Sequence, residues 1–268
     1  AAYSYDRAQR LTSLSYSRGA VIVAQDLVLD PEGNRTGQSE TVRGMLATTS
    51  TLRYDGLSRL LSFDRRLANG APVSSEAFSL DGATNLTARA GPAASYSYDS
   101  ANRLLSDGTR AFVWDGADRL TQRGADAFTH DALARLTSST VAGVTRSYAY
   151  DGDGLLRSRT QGTSSTGFLW DTTLAPAPLL VADSDRIVHG LGPLYLVHAN
   201  ATYDAYARDA LGSVRAEVSG TGQLTNAFDY TAYGALRASL AGPPRLLGFA
   251  GELQDPSGLI YLRARWYD

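Results

Sequence analysis

The chain has 268 residues, 43% of them hydrophobic, and a formal net charge of −2. That is enough chain for one large β domain or two smaller ones, and the near-neutral balance gives no electrostatic case for nucleic acid, which calls for a basic face. Cysteine is absent, which removes disulfide and thiolate chemistry, and no apolar run reaches the roughly 18 residues of a membrane span. Residue 1 is alanine with no positively charged leader ahead of an apolar run, so the expectation is a processed chain or an internal fragment. The 15 tyrosines and 25 basic residues, essentially all arginine, suit half-exposed sheet faces. Each covers apolar area while keeping a polar tip satisfied.

Taken in order, the chain repeats one short unit. It begins as Tyr5-Asp6 followed by Arg10-Leu11, and a variant follows at Leu29-Asp30. Tyr54-Asp55 with Arg59-Leu60 is the clearest copy, and Leu80-Asp81 with Leu86 comes next. Tyr98-Asp99 with Arg103, Trp114-Asp115 with Arg119, His130-Asp131 with Arg135, and Tyr150-Asp151 continue the series. Trp170-Asp171 opens a unit without closing it. Successive aspartates lie 24, 25, 26, 18, 16, 16, 20 and 20 positions apart, an internal repeat with variable inserts.

Each unit predicts two strands around a turn. The aromatic ends one strand, Asp accepts backbone N–H bonds, Gly or Ala takes the bend, and Leu opens the return strand. Tyr54 and Leu60 are expected to face each other, with Asp55 and Arg59 paired at the turn mouth. The inserts also read as strands: Ala20–Ala24 and Asp26–Leu29 are β-rich, and Ser95–Tyr98 and Arg146–Tyr150 alternate with period two. No window of 11 residues carries a 3.6-residue apolar stripe, so almost no helix is expected.

From Leu174 the rhythm changes, with Pro176 and Pro178, a short strand at Leu179–Ala182, and turn-then-strand signals after His189 and Asp209. The predicted organisation is a repeat segment over 1–173 and a cap over 174–268 continuous with the same sheet. The end of the chain, Asp255-Pro256-Ser257-Gly258 and then Leu259 to Tyr267, reads as a turn into one long strand. That strand places Arg263 and Arg265 on one face and Leu262, Ala264 and Trp266 on the other.

Candidate chemistry is sparse. The aspartates of the repeat are explained by turns. Asp255 is the most tempting catalytic aspartate, and its Asp-Pro-Ser-Gly setting favours a turn. Asp151-Gly152-Asp153-Gly154 opens like a calcium loop, but Arg159 and Gly162 stand where later ligands belong. His130, His189 and His198 are far apart for zinc without cysteine. Neither a phosphate-binding glycine fingerprint nor a Gly-x-Ser-x-Gly elbow occurs. No cofactor is expected. Tyrosine–arginine ladders could stack on a glycan or peptide.

The recurring Tyr-Asp…Arg-Leu unit resembles the tyrosine–aspartate (YD) repeat of the bacterial rearrangement-hotspot (Rhs) proteins. The later stretches resemble that family's repeat-associated core: Asp209 to Arg215 with Gly212 and Ser213, Tyr230 to Gly234, Gly248 to Gly251, and Asp255, Pro256, Gly258, Tyr261, Arg263, Arg265, Tyr267 and Asp268. Leu stands before Asp30 and Asp81, and Arg208 before Asp209, where the family has an aromatic. The resemblance implies an all-β fold of spiralling antiparallel hairpins forming a curved hollow shell, or part of one, with a C-terminal plug. It implies a secreted or cell-surface, non-catalytic shell that encloses and helps deliver a C-terminal toxin, more distantly like the barrel of teneurins. Self-cleavage would need downstream aspartates beyond Asp268. The partners implied are an enclosed polypeptide cargo or the rest of the same chain, and neighbouring subunits through open sheet edges. An adhesion element or self-assembling scaffold using the outer face is the competing expectation.

Overall fold

The computed structural model describes residues 1–91 and 93–268. The fold is all-β and antiparallel. Among the described residues the longest helical piece is the three-residue 3-10 turn Phe249–Gly251, and no helix is long and apolar enough to cross a membrane. The chain forms two compact units, one of residues Ala1–Ala94 with Tyr203–Gly251 and one of residues Ser95–Thr202 with Glu252–Asp268. The sequence boundary expected at 173/174 therefore falls inside the second unit.

In the first unit eight strands follow one another as a meander, from Ala2–Tyr5 through Leu86–Ala90. A second meander runs Tyr203–Arg208, Val214–Ser219, Leu224–Tyr230 and Leu236–Ser239. The two pack together through small and branched side chains: Leu14, Ile22, Val23 and Val42 from one, Ala207, Ala216, Val218 and Ala227 from the other. In the second unit ten strands run as a meander from Phe112–Trp114 to Gly192–Val197, joined by a three-stranded piece of Leu253–Gln254, Ile260–Tyr261 and Trp266–Tyr267.

Two kinds of turn alternate along the repeat of the second unit, and the Asp kind recurs in the first. The short kind has two residues, as at Ala142-Gly143 between paired Val141 and Val144, where both bend residues have positive φ. That twist matches the right-handed twist of the flanking strands. The other kind is the Asp turn. Asp55 N donates to Arg59 O at 3.0 Å and Ser58 N donates to Asp55 O at 3.0 Å, with Ser58 at φ 59°. This is a type I turn closed by a left-handed residue and a bulge, which is why the register shifts between Arg53 and Tyr54. The left-handed position recurs three residues after the aspartate in every complete copy, as Gln9, Gly33, Ser58, Thr84, Asn102, Asp118, Ala134 and Gly154.

The inward phase of each strand follows from the same spacing. The residue two before the repeat aromatic is buried at Leu52, Phe78, Phe112, Phe128, Tyr148, Phe168 and Phe228. Burying such a side chain contributes about 1.5–3 kcal/mol. In each unit these apolar positions lie just ahead of the turns.

The chain end departs from the sequence expectation. Instead of one strand over 259–267, Ile260–Tyr261 and Trp266–Tyr267 pair with each other as a tight hairpin. Arg263 takes φ 63°, and Leu262 N donates to Arg265 O at 2.9 Å. The reason lies in the side chains. A straight strand would leave Trp266 away from Tyr261, whereas the fold-back stacks the two rings 4.9 Å apart and sends Arg263 to Glu252. Ser95–Tyr98 is likewise broken, into Ala94–Ser95 and Ser97–Tyr98.

Candidate functional site

The repeat residues form up to three interlocking contacts at a turn. The first lies within the turn. Asp55 Oδ1 accepts from Leu57 N at 2.9 Å and Arg59 N at 3.0 Å, and Asp55 Oδ2 accepts from Arg59 Nε at 2.6 Å. Asp6–Arg10, Asp99–Arg103, Asp115–Arg119 and Asp131–Arg135 repeat that ion pair at 2.6–2.7 Å. Asn34 and Asn85 take the arginine's place on Asp30 and Asp81. Donors from the arginine backbone and side chain hold the carboxyls of Asp6, Asp55, Asp99, Asp115 and Asp131 below the usual range. Asp151, with Leu155 at the arginine position, keeps only the backbone donors Asp153 N and Leu155 N.

The second contact reaches forward to the next turn. Arg10 Nη1 donates to Asp30 O at 2.7 Å, Arg59 Nη1 to Asp81 O at 3.2 Å, and Arg119 Nη1 to Asp131 O at 2.8 Å. Arg103 Nη1 reaches Asp118 Oδ1 at 2.8 Å, and Asn34 Nδ2 reaches Ser58 Oγ at 3.0 Å. The third contact reaches back. The repeat aromatic donates to the carbonyl five residues past the preceding turn aspartate: Tyr54 to Arg35 O, Trp114 to Leu104 O, Tyr150 to Leu136 O, Trp170 to Leu156 O. Tyr230 does the same to Val214 O after Asp209. Tyr5 is exposed and Tyr98 half-buried. A further aspartate turn that the sequence pattern missed, Asp107 with Thr109 and Arg110, uses a spacing one residue shorter. Burial raises its carboxyl, but the Thr109 and Arg110 donors outweigh that and hold it low.

The core-like residues fall into two groups, one in each unit. In the first, Asp209 Oδ1 accepts from Leu211 N and Ser213 N, and Gly212 has φ 90°. Ser213 Oγ accepts from Ala250 N at 3.0 Å, and Val214 N donates to Gly248 O at 2.9 Å. Phe249 packs edge-on against Tyr230, and a Cβ on Gly234 would sit 2.5 Å from the Phe249 ring. The Gly248–Gly251 segment is thus clamped over the Tyr230–Gly234 turn, with Gly251 at φ 73° closing on Gly248 O.

Arg215 begins a network that crosses the inward faces of both meanders. Its Nη1 and Nη2 donate to the two oxygens of Glu40 at 2.5 and 3.0 Å, and its Nε donates to Phe228 O at 2.8 Å. Asp209 and Asp229 lie 3.5 and 3.4 Å away. Arg65 Nη1 donates to Asp229 Oδ2 at 2.7 Å, and Arg237 joins Asp229 to Glu76, which also pairs with Arg89 at 2.6 Å. Arg65, Arg89, Arg215 and Arg237 balance Glu40, Glu76, Asp209 and Asp229, so the network is electroneutral. Buried charge is tolerated only when paired in this way. Burial pushes the Glu40 carboxyl up against the pull of Arg215. A cavity of about 200 Å³ opens among Gln25, Gln38, Glu40, Arg65, Arg215 and Asp229. Most of these residues escaped the sequence pattern. The signal was a charge in phase with buried apolar neighbours, as in Phe63-x-Arg65 and Glu76-x-Phe78.

In the second unit Asp255 forms the same turn, with Gly258 at φ 89°, but its side chain is buried. Asp255 N donates to Leu259 O across Pro256, and Asp255 Oδ1 accepts from Ser257 N at 2.9 Å and from Tyr148 Oη at 3.3 Å. Asp255 Oδ2 accepts from Arg159 Nη1 at 3.2 Å, and Arg146 Nε lies 3.9 Å from Oδ1. Burial together with the Asp255 charge pushes the Tyr148 hydroxyl up to about 12, so it stays a donor. Tyr261 is fully buried and its Oη accepts from Leu156 N at 2.8 Å. Arg263 lies over the Trp170 ring, donates to Ala177 O at 3.0 Å and pairs with Glu252. Trp266 Nε1 donates to Tyr150 Oη, Asp268 pairs with Arg123, Tyr267 is half-buried and Arg265 is exposed.

No protein-family model and no curated protein matches the chain. Among solved structures it is similar to a chain of a Photorhabdus luminescens Tc holotoxin pore carrying a TccC3 mutation, at 14% identity and a TM-score of 0.41, covering 99% of this chain and 19% of that one. It is also similar to a TcdB2-TccC3 structure, at 13% identity, a TM-score of 0.42, and coverage of 96% and 20%. A TcdB2-TccC3 structure without its hypervariable C-terminal region gives 14%, 0.41, 96% and 20%. The chain spans about a fifth of the length of each of these chains.

Proposed function

We propose that this chain is a wall segment of a β-shell that encloses a polypeptide cargo, a toxin in the Rhs reading, and helps deliver it. On this proposal residues 1–173 supply shell wall and residues 174–268 the cap, and the cargo lies outside the 268 residues. The observation that carries the reading is the turn-to-turn lock, in which Arg10, Arg59 and Arg119 each tie their own turn to the next one. A lock that reaches the neighbouring hairpin suits a sheet grown by repetition, because each hairpin needs only its neighbour. The strand Ala2–Tyr5 pairs with Leu11–Arg18 along one side and is exposed, so it offers an edge to a further hairpin.

The role proposed is structural, and extracellular or surface delivery is its natural setting. The test is protease protection combined with imaging of the full-length polypeptide. Cargo should resist digestion until the repeat sheet is cut, and should be seen inside the wall. Cargo digested as fast as the isolated cargo domain, or folded outside an empty wall, would end the proposal.

A further inference from the structure

Two tyrosines on neighbouring strands of the first unit touch through their hydroxyls. Tyr54, Tyr150 and Tyr230 spend theirs on backbone carbonyls. Tyr3 Oη and Tyr16 Oη instead lie 2.9 Å apart, with the rings edge to face at 6.3 Å and 83°. The register explains the meeting. Tyr3 is paired with Leu14, so Tyr16 is its diagonal neighbour on the same face of the sheet.

The two rings are held differently. Tyr16 packs against the apolar cluster that contains Leu14 and Val23, which fixes its ring. Tyr3 lies on the edge strand Ala2–Tyr5 and is 45% exposed, so it is open to a reagent and free to turn about χ2. Burial, with the Tyr3 hydrogen bond, pushes the Tyr16 hydroxyl up to about 12, so it stays protonated in neutral water. The chain has no cysteine and one methionine, so few softer side chains compete for an oxidant.

We propose that Tyr3 and Tyr16 form an intramolecular dityrosine cross-link when a haem peroxidase supplies oxidising equivalents from hydrogen peroxide. Each phenol gives up one electron and its hydroxyl proton. The two phenoxyl radicals join by a carbon–carbon bond between their Cε atoms, the ring positions next to the hydroxyls. The hydrogens on those two carbons then move to the oxygens and restore both phenols. The chain thus loses two hydrogens, and one peroxide becomes two waters. The product staples the exposed edge strand to Leu11–Arg18 across the Asp6 turn. The proposal does not depend on cargo enclosure.

The test is treatment of the dilute whole chain with a haem peroxidase and hydrogen peroxide. Dityrosine fluorescence is expected, in a species that runs as a monomer on a denaturing gel and is lighter by two hydrogens. Fragmentation of the linked peptides should place the bond at Tyr3 and Tyr16. Tyr3→Phe, at an exposed position, should cut the intramolecular yield at least tenfold. Tyr5→Phe should leave the yield unchanged, although Tyr5 is the more exposed of the two, at 56%. Absence of the linked peptides while free tyrosine is dimerised under the same conditions would overturn the proposal. So would a monomeric cross-link that survives Tyr3→Phe, or one that joins other tyrosines in preference to this pair.

Discussion

Arg59 joins two turns at once: its Nε donates to Asp55 Oδ2 at 2.6 Å while its Nη1 donates to Asp81 O at 3.2 Å. The planar fork of a guanidinium makes the double engagement possible, and an ammonium cannot reproduce it. Arg59→Lys is therefore expected to cost nearly as much as Arg59→Ala, about 1–2 kcal/mol, from the lost bonds to a charged group and to a carbonyl. Urea denaturation midpoints of the two variants decide this. A lysine variant as stable as the parent would mean that charge alone matters at the turn.

The left-handed position offers a second check. Thr84 at φ 71° and Ala134 at φ 61° carry a Cβ where glycine fits without strain. The left-handed conformation costs roughly 1–2 kcal/mol for such residues, offset in part by the larger unfolded-state freedom of glycine. Ala134→Gly and Thr84→Gly should each stabilise by about 0.5–1 kcal/mol, and Gly154→Ala should destabilise by a similar amount. Thermal melts of the three variants should move in opposite directions accordingly.

The buried network makes a third prediction. Removing Arg215 leaves Glu40 buried without its bidentate partner, a change expected to cost about 3–5 kcal/mol. Arg215→Met should thus be strongly destabilising, and Arg215→Met with Glu40→Gln should recover part of the loss. A double variant no better than the single would show that Asp209 and Asp229, not Glu40, govern the arginine's stability. Chemical denaturation of both variants reads the difference.

Acid response follows from the sign of the carboxylate shifts. Asp6, Asp55, Asp81, Asp99, Asp107, Asp115, Asp126, Asp131 and Asp171 are held low in the folded chain, so the unfolded chain binds more protons below the ordinary aspartate pKa of about 4. Their contribution is present above that pH and is lost as pH falls through the folded values. Glu40 and Glu252 are raised, chiefly by burial, and act the other way, favouring the folded state as pH falls toward the ordinary glutamate value. Nine lowered groups outnumber two raised ones, so stability measured by denaturant should fall below about pH 4. Replacing Asp55 and Asp131 with Asn should flatten that fall.

The sequence carried the turns because their chemistry is local. Asp, a left-handed residue three positions on, and Arg four positions on are all neighbours in the chain, so Asp55 and Arg59 could be paired on paper. The all-β class followed from strand-period patterning and the lack of a helical stripe. The network around Arg215 was not legible, because Glu40 and Arg215 are 175 positions apart and touch only once the meanders pack. The terminal hairpin was misread for a related reason. Strand-like alternation over 259–267 is a local signal, and it was overridden by the distant partners of Arg263 at Glu252, Ala177 and Trp170.

The aspartate and the left-handed residue three positions on are kept at every complete turn while the strands between turns differ in length, with aspartate spacings from 16 to 26. A hairpin inserted or removed between two such turns is therefore expected to leave the joints on either side intact, so length can change here without a new kind of contact.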